Sequence, residues 1–165
     1  MTEYTLSERV VSLLSDKSLT VFTAESCTGG LIAKLVTDVP GSSSVLLGGC
    51  VTYTNEVKIK LLGVDPAIID RDTEVSHTCA KAMAQGARER IGTDIAVSTT
   101  GYAGPGGGTE RDPVGTVYIA VSTKKGTTGE RFSAPAGATR AQVRNAAAHR
   151  ALELLLEIAE NPNNL

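Results

Sequence analysis

Ser26 and Cys27 are the residues best suited to chemistry, because two nucleophile types stand side by side between a predicted strand and a predicted helix. The strand is expected over residues 19–24, and a helical apolar period resumes at Leu31. Amides at a helix N-terminus are unpaired and lie at the positive end of the helix dipole. The turn therefore suits a phosphate or a developing oxyanion, although the simpler interpretation is that Ser26 or Thr28 caps the helix.

A serine nucleophile needs a base, and neither His77 nor His149 has a carboxylate at a spacing that predicts a triad. Lysine can replace histidine where burial lowers its pKa enough to leave an uncharged amine near neutral pH. Lys58 lies five residues after Tyr53, just beyond a predicted strand, so both side chains are expected at one strand end. The alternative is that Lys58 is an ordinary solvated helix lysine.

A glycine-rich stretch over residues 101–108 is the second candidate binding element, since five glycines and one proline in eight residues exclude regular structure. Gly104 and Gly106 match part of a dinucleotide fingerprint, but Thr109 stands where the third glycine belongs. A P-loop is excluded, because no Gly-Lys-Ser or Gly-Lys-Thr sequence follows the glycines. A long loop beside a strand end is more typical of a binding wall than of a plain surface crossover.

Arg140 falls in the first turn of the last predicted helix. A cation there is disfavoured by roughly 0.3–1 kcal/mol, because it faces the positive end of the dipole. A bound anion would be held by free N–H groups and by a guanidinium that donates two hydrogen bonds. Arg140 is therefore a candidate anion-binding residue, with a solvent-exposed arginine as the alternative.

Helices and strands alternate along the chain and predict how these residues are positioned. Capping boxes predict helices that begin at Thr5 and Thr139, and Ser76 is expected to cap another. The nearly apolar run over 45–53 is expected to be a strand buried on both faces, followed by a short helix that Asn55 caps and Gly63 ends. Further strands are expected over 94–100, 114–123 and 127–134, the last two joined in a hairpin.

This alternation predicts the α/β class, as a three-layer α/β/α sandwich with a mixed, mostly parallel sheet. Ligands of such sheets bind beyond the carboxyl ends of the strands. The turn at Ser26 and the glycine-rich stretch both follow strands, so they are expected at the same edge. Gly29 and Gly30 would let a ligand approach the backbone closely there.

Composition indicates an ordinary globular protein, with 41% hydrophobic and 21% charged residues. A length of 165 residues predicts one domain over 1–165. Sixteen basic and eighteen acidic residues give a net charge of −2, which creates no long-range field for nucleic acid or anionic lipid. Direct nucleic-acid binding is therefore not expected.

The three cysteines, Cys27, Cys50 and Cys79, are odd in number and form no CxxC pair, so free thiols and no metal site are expected. Free thiols fit a reducing compartment. The start Met1-Thr2-Glu3-Tyr4 lacks a signal-peptide pattern, and no run approaches the 18 apolar residues of a membrane span. These features predict a cytoplasmic protein with no membrane partner.

Four segments, in order along nearly the entire chain, together resemble the CinA C-terminal family. They are Ala24-Glu25-Ser26-Cys27-Thr28-Gly29-Gly30, Val51-Thr52-Tyr53-Thr54-Asn55-Glu56-Val57-Lys58, Thr100-Gly101-Tyr102-Ala103-Gly104-Pro105-Gly106-Gly107 and Pro113-Val114-Gly115-Thr116-Val117. The resemblance implies an α/β/α sandwich and a nicotinamide-nucleotide amidase, which hydrolyses nicotinamide mononucleotide to the acid nucleotide and ammonia. It also implies a stand-alone form, without the molybdopterin-binding-like N-terminal domain of longer members.

The resemblance makes Ser26 the nucleophile, Lys58 its general base, Tyr53 a partner in proton transfer or amine orientation, and Arg140 the substrate-phosphate residue. Other residues of the turn and the loop are expected to line the substrate site. They are Cys27, Thr28, Gly29, Gly30, Gly101, Tyr102, Ala103 and Gly104. No metal or organic cofactor is implied, and the partner is a small-molecule nucleotide, with a homo-oligomer left open.

Two departures from the usual family pattern concern loop contacts. Tyr102 stands where a smaller aliphatic residue is more usual, and Gly106 stands where an acidic residue is common. Two alternative functions also stay open. One is an enzyme with Cys27 as the nucleophile, since a helix N-terminus lowers a thiol pKa. The other is a non-catalytic binding module in DNA uptake or damage response.

Overall fold

The computed structural model describes residues 5–165, and for Pro162 only the backbone; the start Met1-Thr2-Glu3-Tyr4 lies outside the described residues. The strands are β1 (Val21–Glu25), β2 (Leu46–Val51), β3 (Ile95–Gly101), β4 (Thr116–Thr123) and β5 (Gly126–Ser133). The α-helices are α1 (Leu6–Asp16), α2 (Leu31–Thr37), α3 (Asn55–Leu62), α4 (Pro66–Asp72), α5 (His77–Ile91) and α6 (Arg140–Glu160). Short 3-10 helices cover Ser42–Ser44 and Pro162–Asn164.

The strands form a mixed sheet in the order β2-β1-β3-β4-β5. β1 pairs in parallel with β2 and with β3. β4 is antiparallel to both β3 and β5, and the turn between β4 and β5 closes the predicted hairpin. β4 is therefore the strand that runs against the other four, and the predicted mixed, mostly parallel sheet is confirmed.

Helices cover both faces of the sheet and complete the predicted three layers. On one face, α1, α2 and α6 pack over strand residues such as Val21, Val97 and Ile119. On the other face, α3, α4 and α5 pack over residues such as Phe22 and Ala96. Neighbouring strand residues face opposite layers because side chains alternate along a strand.

The predicted helix starts agree with the structure where the motif is local. The Thr5 hydroxyl accepts a hydrogen bond from the Glu8 amide at 3.3 Å, and the Thr5 amide donates to the Glu8 carboxylate at 2.7 Å. Thr139 and Gln142 form the same reciprocal pair at the start of α6. Such pairs satisfy amides that a helix start otherwise leaves without partners.

Two local predictions were wrong. β2 was expected to be buried on both faces, but it is an edge strand that alternates half-buried and exposed residues, with Leu47 52% and Val51 47% exposed. Its apolar character therefore does not reflect a central position. The cap of α3 is Thr54, whose hydroxyl accepts from the Val57 amide at 3.4 Å, while Asn55 is the first helical residue.

The described residues also bear on the expectations for cysteines, metals and membranes. Cys27, Cys50 and Cys79 are free thiols, as predicted. Across residues 5–165, no cluster of three His, Cys, Asp or Glu side chains is arranged to hold a metal ion. No helix within the same range combines the length and the apolar character needed to cross a membrane.

Candidate active site

A cleft of about 200 Å³ lies at the carboxyl ends of β1 and β3, and we refer to it as the strand-end cleft. The sequence-predicted site residues that line it are Ser26, Cys27, Tyr53, Lys58, Gly101, Tyr102, Ala103 and Arg140. Thr28, Gly29, Gly30 and Gly104 lie outside its lining. The turn after β1 and the loop after β3 thus meet at one edge of the sheet, as their positions along the chain predict.

Lys58 is one of the most buried side chains of the protein, although it carries an amine. It is 1% exposed, and its Nζ lies 3.1 Å from the Ser26 Oγ and donates to the Thr52 carbonyl at 2.8 Å. No carboxylate forms an ion pair with Lys58 in the described part of the chain. Burial lowers the pKa of the amine and so favours its uncharged form. Cys79, Glu74 and Cys27 have weaker, opposing effects on that pKa.

The local chain path places Ser26 within reach of that amine. Its amide donates to the Thr99 carbonyl at 3.0 Å, which continues the pairing of β1 with β3, and its own carbonyl accepts from Gly29 at 3.1 Å. Ser26 therefore occupies a tight turn between a strand and a helix. The same strand-turn-helix placement presents the nucleophile of α/β-hydrolases above the sheet.

The start of α2 is not open to a ligand, contrary to the expectation of unpaired amides there. The fully buried Glu25 carboxylate accepts from the amides of Gly30 at 3.0 Å, Ile32 at 3.1 Å and Ala33 at 3.0 Å. It also accepts from the Thr28 hydroxyl at 2.6 Å. Four donors and the helix dipole stabilise the carboxylate, so Thr28 and Gly30 build the turn.

Two amides at the strand-end cleft are left for a developing oxyanion. Within residues 5–165, the amides of Cys27 and Ala103 donate to no backbone carbonyl, and both residues line the cleft. Cys27 directly follows Ser26, and the residue after the nucleophile supplies an oxyanion donor in α/β-hydrolases. These two amides replace the helix amides as candidate donors.

Arg144 holds the turn that follows β1, and the sequence analysis did not identify this residue. From α6, its Nε donates to the Cys27 carbonyl at 3.0 Å and its Nη2 donates to the Thr28 carbonyl at 2.9 Å. A side chain at Gly29, where φ is +63°, would approach the Arg144 guanidinium to 3.0 Å. The available signal was its spacing of four residues from Arg140, which puts both arginines on one helix face.

Arg140 and Tyr53 meet at the rim of the strand-end cleft. The Arg140 guanidinium donates to the Tyr53 hydroxyl at 3.0 Å and to the Gly104 carbonyl at 2.7 Å. The Tyr53 side chain is largely exposed, and within the described residues its hydroxyl is hydrogen-bonded to neither Ser26 nor Lys58. Arg140 therefore bridges the end of β2 and the glycine-rich loop.

Cys27 lies beside Ser26 but differs from it in reactivity. The thiol is 5% exposed, and burial raises its pKa to about 12. A thiol with such a pKa stays protonated at neutral pH, whereas the thiolate is the reactive form. The environment therefore disfavours Cys27 as the nucleophile and leaves Ser26 as the better candidate.

The fold and the strand-end cleft define an α/β/α sandwich protein with a buried serine–lysine pair. The chain belongs to the CinA family, since the CinA C-terminal domain model matches residues 3–159. It is 58% identical over 122 residues to a CinA-like protein of Chlorobaculum tepidum, covering 74% of this chain and 29% of the relative. It is 48% identical over 151 residues to a putative competence-damage inducible protein of Caldicellulosiruptor saccharolyticus, covering 92% of this chain and 36% of the relative. The chain thus spans about a third of the length of these curated relatives.

Solved structures of similar proteins share the whole architecture. The competence/damage inducible protein CihA from Agrobacterium tumefaciens superposes with a TM-score of 0.90 at 37% identity, covering 98% of this chain and 100% of that chain. A CinA superfamily protein from Escherichia coli gives a TM-score of 0.86 at 31% identity, covering 95% of this chain and 94% of that chain. The family resemblance and the fold predicted from the sequence are both confirmed.

Proposed function

We propose that this protein is an amide hydrolase that converts nicotinamide mononucleotide to nicotinate mononucleotide and ammonia. The observation that carries the proposal is the buried Lys58 amine 3.1 Å from the Ser26 hydroxyl oxygen. The serine–lysine chemistry is argued from this geometry, and the choice of substrate follows from the family resemblance. The same reasoning makes a small-molecule nucleotide the partner of the strand-end cleft.

Acylation begins when the uncharged Lys58 amine accepts the Ser26 hydroxyl proton while Oγ attacks the amide carbon. Lys58 becomes an ammonium group, and the carbonyl oxygen becomes an oxyanion. The amides of Cys27 and Ala103 are the donors placed to stabilise that oxyanion. The amine forms no ion pair with a carboxylate among residues 5–165, and its burial outweighs the opposing effects of Cys79, Glu74 and Cys27, so the uncharged form is favoured before the attack.

The intermediate then collapses as the carbon–nitrogen bond breaks. The Lys58 ammonium returns its proton to the departing nitrogen, which leaves as ammonia, and Ser26 carries an ester of the nicotinate group. Lys58, again uncharged, takes a proton from water, the water oxygen attacks the ester, and the acid product and the Ser26 hydroxyl are restored.

Arg140 is placed to bind the substrate phosphate from the rim. Its two terminal nitrogens donate to the Gly104 carbonyl and the Tyr53 hydroxyl, and each keeps a second N–H, which suits a phosphate. Tyr53 accepts a hydrogen bond from that guanidinium, so we assign it to orienting Arg140 in place of the expected role in proton transfer or amine orientation. We place the reaction in the cytoplasm, supported by three free thiols.

The second candidate is a non-catalytic binding module in competence or damage response. The printed names of several relatives, competence-damage inducible protein, favour it. The net charge of −2 weighs against direct contact with DNA. Retention on DNA that persists at physiological ionic strength and falls with added salt would support this module.

Ammonia release from nicotinamide mononucleotide tests the proposal. We expect Ser26→Ala to lose at least roughly 10³-fold in kcat/KM, because the nucleophile is gone. Ser12→Ala, on the exposed side of α1, is the matched control and should keep wild-type activity. Cys27→Ser with undiminished turnover excludes the thiol as the nucleophile. An inert wild type, or equal activity of wild type and Ser26→Ala, contradicts the proposal.

A further inference from the structure

Glu74 contributes an unpaired negative charge to the strand-end cleft. Its half-buried side chain lines the cleft together with Ser26, Lys58 and Tyr102. Within residues 5–165, the Glu74 carboxylate accepts no hydrogen bond and forms no ion pair. The buried carboxylates of Glu25 and Asp112 have protein donors, whereas the half-buried Glu74 carboxylate has none among residues 5–165 and is available to a ligand in the cleft.

The backbone around Glu74 is held in place by side-chain hydrogen bonds. The Thr100 hydroxyl, at the end of β3, donates to the Glu74 carbonyl at 2.7 Å. The Ser76 hydroxyl donates to the Thr73 carbonyl at 2.9 Å, and the Thr73 hydroxyl donates to the Val75 carbonyl at 3.2 Å. The carboxylate is therefore presented from a rigid turn next to the strand that borders the site.

The charge of Glu74 acts on groups inside the cleft. Burial lowers the pKa of Lys58, and the negative charge of Glu74 opposes that shift. Burial also raises the pKa of Tyr102, and Glu74 adds to that increase.

The charged groups that line the cleft are thus arranged as a cation and an anion. Arg140 supplies the positive charge at the rim, Glu74 supplies the negative charge, and Lys58 is shifted toward its uncharged form. Such a site complements a ligand that is anionic at one end and cationic at the other. Two tyrosines of the lining, Tyr53 and Tyr102, add aromatic surface that attracts a cation.

We infer that Glu74 is a specificity-determining residue, which favours an amide carried on a positively charged ring and disfavours the acid product. The inference rests on the proposed function, because a pyridine ring attached to a sugar through its nitrogen is a quaternary cation. The product keeps that cation but gains a carboxylate, which Glu74 repels. Glu74 thereby promotes both selection of the substrate and release of the product.

Binding to chemically inert protein tests the inference without relying on turnover. The background is Ser26→Ala, and the two ligands are nicotinamide mononucleotide and its reduced form, whose dihydropyridine ring is neutral. We expect the cationic ligand to bind roughly tenfold more tightly, a ratio that corresponds to about 1.4 kcal/mol. Adding Glu74→Gln should reduce the ratio severalfold, since the charge is lost, the shape is kept and only the aromatic surface of Tyr53 and Tyr102 still favours the cation.

Glu110→Gln in the same background is the matched control. Glu110 is an exposed acidic residue near the glycine-rich loop that does not line the cleft, so the tenfold ratio should remain. An unchanged ratio in Glu74→Gln overturns the inference, as does an equal loss of affinity for both ligands or no measurable binding of the cationic ligand. Ammonia release by the wild type tests the proposed function separately. If Glu74→Gln lowers the affinity ratio but the wild type releases no ammonia, the role of Glu74 is supported and the amidase function is rejected.

Discussion

The two halves of the sheet treat buried charge in different ways. In the parallel half, formed by β2, β1, β3 and the turns that follow them, Glu25 and Lys58 are buried without an oppositely charged partner among residues 5–165. In the antiparallel half, formed by β4, β5 and the loop before them, the buried Asp112 pairs with Arg111 at 2.9 Å and Arg131 at 3.1 Å. In the parallel half, amides and a hydroxyl bind the Glu25 carboxylate, and a carbonyl and a hydroxyl bind the Lys58 amine, whereas the antiparallel half uses ion pairs.

The difference distinguishes buried charged groups that stabilise the fold through ion pairs from a buried amine that can act as a base. Removing one member of a buried pair leaves an uncompensated charge and is destabilising. A buried amine without a carboxylate already costs stability, but it can lose its proton near neutral pH and act as a base. We therefore expect opposite consequences when residues of the two halves are replaced.

Lys58→Met should produce the largest effect. Without the amine, kcat/KM for ammonia release is expected to fall at least roughly 10³-fold. Thermal unfolding should occur at an equal or higher temperature, because a methionine of similar volume avoids burying an amine. Lys60→Met on the same helix is the control, since Lys60 is exposed and pairs with Glu56 at 2.7 Å, and it should match the wild type. A Lys58→Met variant that is both active and less stable would contradict the comparison.

Asp112→Asn should show the reverse pattern. The carboxylate accepts from Tyr118 at 2.8 Å as well as from two arginines, so its loss is expected to cost about 1–3 kcal/mol in the free energy of unfolding. The folded variant should keep kcat/KM within a few-fold, because Asp112 lies outside the strand-end cleft lining. Denaturant unfolding measures the difference, with Asp38→Asn, an exposed partner of Lys34, as the control. Equal losses in the two variants would show that the buried pairing is unimportant.

The smallest effects should be seen in the pH dependence of stability. Burial alone would raise the Asp112 pKa, but hydrogen bonds from Tyr118, Arg111 and Arg131 lower it below 3.8. Its contribution is therefore complete above pH 3.8 and is lost as the pH falls through the lowered pKa. Asp112→Asn should flatten the acid side of the stability profile.

Lys58 should act on the alkaline side with the opposite sign. Its pKa lies below 10.5, so the folded state binds fewer protons than the unfolded state, and stability rises with pH up to about 10.5. Lys58→Met should remove that rise, and wild-type kcat/KM should increase as Lys58 loses its proton. The free energy of unfolding and the rate of ammonia release, measured over one pH series, check the predictions for stability and for activity. Parallel profiles of wild type and Lys58→Met would contradict the assignment of Lys58.

Local sequence patterns were sufficient for the elements whose stabilising contacts are also local. Thr139 and Gln142 identified the start of α6 because both partners lie within one helical turn. The strand ends placed Ser26 and Lys58 in one cleft because carboxyl ends of parallel strands share an edge. The burial of Lys58 did not follow from the sequence, which left a solvated helix lysine as the alternative, and the structure shows the side chain 1% exposed.

Contacts between distant segments were beyond the same reasoning. The edge position of β2 depends on which strands pair, and its apolar composition did not reveal this. Arg144 contacts Cys27 from a helix more than a hundred residues away in the chain. Each of these features depends on tertiary packing, which overrides local pattern.

The Glu25 carboxylate has a consequence for how substrate preference evolves. Because it occupies the amides at the start of α2, those amides cannot bind an anion, and the phosphate contact of the proposed function depends on the Arg140 side chain. A single substitution removes a guanidinium, whereas no substitution removes a main-chain amide other than replacement by proline. Under the proposed function, phosphate recognition can therefore change at position 140 while Glu25 keeps the turn at Ser26 in place.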